Sequence, residues 1–248
     1  MSIKIIATIG PATRNASALK QLKKNGMDIG RINMKHAGYK EAVKISKELS
    51  CLKCKVLIDI ENLGGIEKIQ GLKFDYLALS YTENARQIKE IRSKFSPKKI
   101  KVIAKIETKK GIENIRKIIS EADGLMVARG DLGANVPLKK LPVFQKMLLY
   151  ECNKKRKFAI TATEMLLSMT KNRAPTRAEV SDVANAVLDG SDALMLSEET
   201  AVGRFPARAV LMMREIIEET APYKLPEKLR FKNHRKVTSL AKKIIQSR

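Results

Sequence analysis

Short apolar runs rich in Ile, Val and Ala alternate along the chain with longer stretches whose apolar residues recur every three or four positions. The first pattern is that of buried parallel strands, and the second that of helices lying over them on one apolar face. Strands are expected at Ile3 to Ile9, Asp28 to Asn33, Lys55 to Asp59, Tyr76 to Ser80, Ile100 to Lys105, Gly124 to Ala128, Phe158 to Thr161 and Ala193 to Leu196. Helices are expected at Ala16 to Lys24, Tyr39 to Leu49, Glu83 to Lys94, Gly111 to Ser120, Pro137 to Asn153, Ala178 to Leu188 and Pro206 to Glu219. Eight such units in about 220 residues match a closed α/β cylinder, a (β/α)8 barrel whose chemistry sits where the strands end.

One unit is irregular. After Asp59 the chain reads IENLGGIEKIQGLKFD before the strand at Tyr76, which leaves room for a short turn of helix at most. Beyond Pro222 the composition changes, and Lys224 to Arg248 holds nine Lys and Arg against the single Glu227. A barrel over residues 1–222 and a basic tail over 223–248 follow. The apolar positions Val237, Leu240, Ala241, Ile244 and Ile245 are spaced for one packed helix from Lys236 to Gln246. No internal sequence repeat is visible.

At 248 residues and 44% hydrophobic positions the chain can bury a core, so its 30% charged residues do not signal disorder. No run approaches eighteen apolar residues and MSIKIIATIG lacks the organisation of a signal peptide, so a cytoplasmic protein without a membrane partner is expected. Cys51, Cys54 and Cys152 are too few for a disulfide framework. The lone C-x-x-C of Cys51 and Cys54 has no histidine at ligand spacing, since His36 and His234 lie elsewhere, and reduced thiols at a helix end are expected. The 49 Lys and Arg against 26 Asp and Glu leave a formal charge of +23, which attracts nucleotides, phosphorylated metabolites, RNA or anionic surfaces without choosing among them. Aromatics are 4% and no basic stripe interleaves with stacking side chains, so nucleic-acid binding has little support and a solvated lysine-rich surface is the plain reading.

Three segments carry candidate chemistry. In KVIAKIET, residues 101–108, Lys105 and Glu107 are two apart at a strand end, so the pleat turns both toward the barrel mouth. In the next unit MVARGDLG sets Asp131 just past a strand, between Gly130 and Gly133. Two carboxylates from adjacent strand ends suit a magnesium ion, and a lysine beside them suits a phosphoryl or enolate oxygen. A structural Lys–Glu pair and a turn aspartate fit the spacing equally well. In GRINMKHAG, residues 30–38, Arg31, Asn33, Lys35 and His36 offer donors to anionic oxygens, or simply form a polar strand-to-helix turn. In ITATEML, Thr161 and Thr163 end a strand, where a hydroxyl can bind a carboxylate, donate a proton or cap a helix.

The pieces TIGP (8–11), RINMKHAG, AKIE (104–107), MVARGDLG, ATEMLLSM (162–169) and APTRAEVSDVANAVLDGSDALMLSEETAVGRFP (174–206) occur in this order. Together they closely resemble the pyruvate kinases over nearly all of residues 3–219. The resemblance implies a TIM barrel that transfers a phosphoryl group from phosphoenolpyruvate to ADP, giving pyruvate and ATP, with magnesium or manganese as the divalent ion. By the same resemblance Glu107 and Asp131 are the metal ligands and Lys105 neutralises the group in flight. Gly130 and Thr163 hold the substrate carboxylate, Arg31 grips the phosphate, and Thr8, Pro11, Asn33 and His36 lie on the nucleotide side. A homo-oligomer is also implied.

Departures from the family pattern are as informative. The lid domain that the family inserts after the third strand is here ENLGGIEKIQG, and the tail resembles at most the opening helix of the family's C-terminal domain. The family's potassium ligands, an asparagine, a serine, an aspartate and a threonine, read Asn33, Lys35, Asp59 and Ile60. The Lys35 ammonium is expected to stand near Asp59 in place of the monovalent ion, so potassium is expected to be dispensable. LSEET in place of LSGET puts Glu198 at a turn with no assigned role. Three readings follow: a minimal pyruvate kinase, a lidless enzyme of enolate chemistry such as an oxaloacetate decarboxylase or a pyruvate lyase, and a non-catalytic barrel that binds a partner through its basic tail.

Overall fold

The computed structural model describes residues 2–95 and 100–224; the expected tail helix and His234 lie outside them. Eight parallel strands close into one barrel in sequence order: Lys4–Thr8 (β1), Ile29–Asn33 (β2), Lys55–Ile60 (β3), Tyr76–Leu79 (β4), Lys101–Ile106 (β5), Gly124–Ala128 (β6), Phe158–Ala162 (β7) and Ala193–Leu196 (β8). The ring closes where Lys4 meets Ala193 and Ala7 meets Leu196. Outside it lie helices Ala16–Lys24 (α1), Tyr39–Cys51 (α2), Ala85–Phe95 (α3), Lys109–Glu113 (α4), Ile115–Glu121 (α5), Arg129–Asn135 (α6), Leu141–Lys154 (α7), Arg177–Leu188 (α8), Glu198–Ala201 (α9) and Pro206–Thr220 (α10). Their apolar stripes are buried on the strands, as with Leu19 and Leu22 of α1 or Ile88 and Ile91 of α3. Packing between β2 and α2 is close, since a Cβ built on Gly30 would stand 2.4 Å from Leu49 Cδ1.

Three local expectations are corrected. The single helix expected from Gly111 to Ser120 is two, because Asn114 closes α4 and opens α5 while its amide donates to Glu83 O at 2.9 Å. The helix expected from Pro137 begins with a 3-10 turn, Leu138–Lys140, before α7. RGDLGAN, where one of the two readings of Asp131 is a turn aspartate, is helix α6, held down by the buried side chains of Arg129 and Leu132. Between β3 and β4 the connection contains the seven-residue 3-10 helix Leu63–Ile69 and no further domain.

The strand period of two builds the site. Ile6, Ile29, Leu57, Ala78 and Ile103 fill the barrel interior with Met126, Ile160 and Met195. Two residues further along each strand the same face carries Thr8, Arg31, Asp59, Ser80 and Lys105, all buried. The cylinder is therefore plugged by hydrocarbon in its middle and lined by polar groups at the C-terminal mouth.

At the opposite end a four-fold device appears. Asp28, Asp75, Asp123 and Asp192 each stand immediately before an even strand. Their carboxylates accept the backbone N–H of Ile5, Val56, Val102 and Ala159, the second residues of the preceding odd strands, at 2.9 to 3.0 Å. Their carbonyls accept from Lys55, Lys101, Phe158 and Lys4 at the start of the following odd strand. Each aspartate thus satisfies strand-start amides that a parallel ladder leaves open.

Candidate active site

The polar layer at the mouth is one connected charge network. Asp59 accepts Arg31 Nε at 2.9 Å and Nη2 at 2.8 Å on Oδ2, and lies 3.2 Å from Lys105 Nζ. Lys105 Nζ also donates to Ser80 Oγ at 2.6 Å and stands 3.0 Å from Glu107 Oε1. Arg31 Nη1 donates to Thr8 Oγ1 at 3.0 Å, and that hydroxyl donates to Leu196 O. Relative exposures of 8% for Arg31, 6% for Lys105 and 1% for Asp59 and Glu107 mean that these charges are taken out of water and must compensate one another. Two cations and two carboxylates cancel, so the buried group is neutral.

Glu107 is the member with capacity left over. Its Oε2 accepts the Tyr81 backbone N–H. Its Oε1 faces Lys105 outside hydrogen-bonding geometry and is a buried oxygen with no hydrogen-bond partner among the described residues. Burial pushes this carboxyl above the ordinary glutamate value, opposed by the Lys105 ammonium and the Tyr81 N–H, with the charge of Asp131 adding to the rise. Asp131 stands in the first turn of α6, exposed at the mouth. A buried carboxylate oxygen whose close neighbour is the Lys105 ammonium, within electrostatic reach of the solvent-accessible Asp131 carboxylate, belongs to a donor set that fits a hard divalent cation. Among the described residues no group of three or more His, Cys, Asp or Glu gathers at this mouth or anywhere else, so the two carboxylates would share such an ion with substrate or water oxygens.

Thr163 lies on a strained turn. Its φ of +70° and the +52° of Glu164 put two non-glycine residues in the left-handed region. The Arg129 guanidinium holds that turn, donating to Thr163 O at 2.8 Å and Glu164 O at 3.2 Å while pairing with Asp182 at 2.6 Å. Glu199 fixes the other side by accepting Leu166 N–H at 3.0 Å. As a result Thr163 Oγ1 accepts the Gly130 N–H at 2.7 Å, which joins the β7 turn to the start of α6.

Other expected residues lie further out. Lys35 Nζ pairs with Glu61 at 3.0 Å in the open, instead of with Asp59, whose oxygens are already enclosed by Arg31, Lys105 and Ser80. That pairing, through hydrogen bond and charge, raises the Lys35 ammonium above its usual range. Asn33 Oδ1 accepts the Lys35 N–H, so it shapes the turn after β2, and Pro11 and His36 are exposed on the same side of the mouth. Ser80 and Tyr81 were not among the expected site residues. Parity would have found Ser80, which follows the interior Ala78 by two. Tyr81 carries no pattern signal, since its φ of +49° and its N–H to Glu107 are set by tertiary structure. Beside them an open cleft of about 500 Å³ runs between Glu61–Gly64 and Ser80–Tyr81.

Comparison with known proteins adds to this geometry. Residues 58–210 match the family model for the barrel domain of pyruvate kinase. A pyruvate kinase of Trypanoplasma borreli is 53% identical over 148 residues, 60% of this chain and 30% of that protein. One of Methanocaldococcus jannaschii is 45% identical over 162 residues, 64% of this chain and 36% of that protein. A third, of Geobacillus stearothermophilus, is 50% identical over 154 residues, 61% of this chain and 26% of that protein. The matched part spans about a third of the length of these relatives.

Proposed function

From the premise that the chain belongs to the pyruvate kinase family through its barrel domain, we propose that it catalyses divalent-metal-dependent phosphoryl transfer between phosphoenolpyruvate and a nucleoside diphosphate. The observation that carries the reading is the buried, neutral network of Arg31, Asp59, Lys105 and Glu107, in which Glu107 Oε1 is ion-paired with Lys105 and makes no hydrogen bond. Glu107 and Asp131 would hold magnesium or manganese. When bound, the ion supplies positive charge against the phosphoryl and enolate oxygens. With Asp131 the site carries a charge of −1, and a divalent ion brings it to +1, which favours an anionic substrate.

The chain's own residues have separable tasks. Arg31, locked by Asp59 and Thr8, presents its remaining N–H groups to the phosphate without having to reorganise. Lys105, held by Asp59 and Ser80, is placed to neutralise the transferring group. Gly130 N–H and Thr163 Oγ1 exchange their mutual bond for the substrate carboxylate. Protonation of the enolate carbon completes the formation of pyruvate. Pro11, Asn33 and His36 face the nucleotide, beneath which Thr8 fixes Arg31. Asp59 already has two fixed cations, which supports turnover without potassium; a strong rise in rate on replacing sodium by potassium would overturn that part. Lys35 with its partner Glu61 then belongs to the rim of the mouth.

The test mixes purified protein with phosphoenolpyruvate, magnesium and ADP and measures ATP. Lys105→Met is expected to lower kcat by roughly 10² to 10³. Oxaloacetate decarboxylation sensitive to Glu107→Gln, with no ATP formed from phosphoenolpyruvate, would replace this reading by enolate chemistry.

A further inference from the structure

The other end of the barrel carries its own chemistry. In a β/α barrel every helix ends where the next strand begins, so helix C-termini gather on the N-terminal face. Here those ends are basic. Lys23 and Lys24 close α1, Lys53 follows α2, Lys94 closes α3, and Lys154, Lys155 and Arg156 end α7. All are exposed, and none forms an ion pair among the described residues. Around α3 to α5 the cations are instead matched, Lys89, Lys109, Lys110 and Arg116 pairing with Glu121, Glu113, Glu83 and Glu151, whereas Lys20, Lys40, Lys44 and Lys117 on the outer helical surfaces are exposed and outside any ion pair among the described residues, like those of the rim.

The carboxylates of the N-terminal face do not cancel this charge. Asp28, Asp75 and Asp123 are held by strand amides and paired with Lys4, Lys55 and Arg92, and Asp192 is held by the Ala159 amide. Glu218 and Glu219 at the end of α10 are the exposed acids on this side without an ion pair. Favourable interaction of cations with helix C-termini accounts for one or two lysines per helix. It does not account for the consecutive Lys154, Lys155 and Arg156. Lys224 is on this same face, with its Nζ 3.3 Å from Ser191 O.

We propose that the N-terminal rim is a docking surface for the phosphodiester backbone of nucleic acid. Separate basic clusters around a rim, with neutralised aspartates between them, suit a strand of discrete phosphates that can run from cluster to cluster. A planar anionic bilayer would meet Glu218 and Glu219 together with the lysines. Contact is to phosphates and not to bases, because among the described residues the rim offers side-chain ammonium and guanidinium groups and, of exposed rings, Tyr223. The site at the opposite mouth stays open while this face is covered.

The test is fluorescence anisotropy of a labelled single-stranded RNA of about 20 nucleotides, long enough to reach several clusters, titrated with the full chain over a range of salt. Replacing Lys23, Lys24, Lys154 and Lys155 together by Gln is expected to weaken binding at least about tenfold and to lower the log–log salt slope by about 3. Replacing Lys20, Lys40, Lys44 and Lys117 together by Gln removes the same charge from other surfaces and is expected to change affinity less than about twofold. Equal weakening by both sets would overturn the proposal in favour of diffuse net charge. Binding to phosphatidylserine vesicles without binding to RNA would overturn it in favour of a membrane. Lysine acetylation footprinting of the unaltered protein is independent of variant folding: RNA is expected to protect Lys24, Lys53 and Lys154, and protection confined to other lysines would also overturn it.

Discussion

The two rims of this barrel are built from the same kinds of residue to opposite ends. At the N-terminal rim each aspartate spends its carboxylate, its carbonyl and its N–H on strand-start groups, and lysine or arginine lies at the surface where water screens it. At the C-terminal mouth the charges are inside, one carboxylate oxygen has no hydrogen-bond partner, and Tyr81, Thr163 and Glu164 hold left-handed backbone. One rim is satisfied and the other keeps bonding capacity in reserve. The lesson is that carboxylates at strand ends divide by what they lack: a fully bonded one such as Asp123 is architecture, and a buried one with bonding capacity left, such as Glu107, is a candidate for chemistry.

The sharpest attempt to break this contrast is Asp59→Ala. It strips Arg31 and Lys105 of their shared counter-charge, so it is expected to cost about 3–5 kcal/mol in denaturant unfolding as well as activity. If stability were unchanged, the mouth would not depend on mutual compensation. Next comes Asp123→Ala, which frees the Val102 N–H and breaks the 2.6 Å pair with Arg92. A loss of about 1–3 kcal/mol with the proposed phosphoryl transfer unaltered is expected, and a change in kcat larger than the change in stability would erase the distinction between rims. Thr176→Ala removes the hydroxyl of the capping box that starts α8 and is expected to cost about 1 kcal/mol, read as a lower melting temperature.

The smallest effect is one of pH. Burial pushes the Glu179 carboxyl up, but hydrogen bonds from Ser168 and Thr176 outweigh it and hold the group below the ordinary glutamate value. A depressed carboxyl contributes stability that is present above its unfolded value and lost as pH falls through the folded one. Glu179→Gln is therefore expected to narrow its gap to the parent as unfolding is measured from neutral pH to below about 4. A gap that stayed constant would assign the effect to packing.

Much of this was legible in the sequence, because period and β-branching are local. Gly124 to Ala128 and Ala193 to Leu196 are strands with the expected bounds, and α1 runs as expected from Ala16 to Lys24. Lys105 and Glu107 share a face because the pleat requires it. What escaped depends on contacts across the ring. Helix α6 defies its two glycines because Arg129 is anchored beneath the β7 turn, and Lys35 turns outward because Asp59 is occupied by residues from β2 and β5. The aspartate device escaped for a different reason. One residue repeated at four distant positions leaves no local pattern, and its sense appears only when the strand starts are level.

That device has a bearing on how the cylinder comes together. Three of its four joints connect neighbours along the chain, as when the Asp28 carbonyl meets Lys55, and can form as a nascent polypeptide lengthens. The fourth ties Asp192 back to Lys4, so the opening segment has an uncovered edge until the last stave arrives. An exposed ribbon of that kind invites pairing with another molecule's free edge, so closing the ring is the event with which misassociation competes.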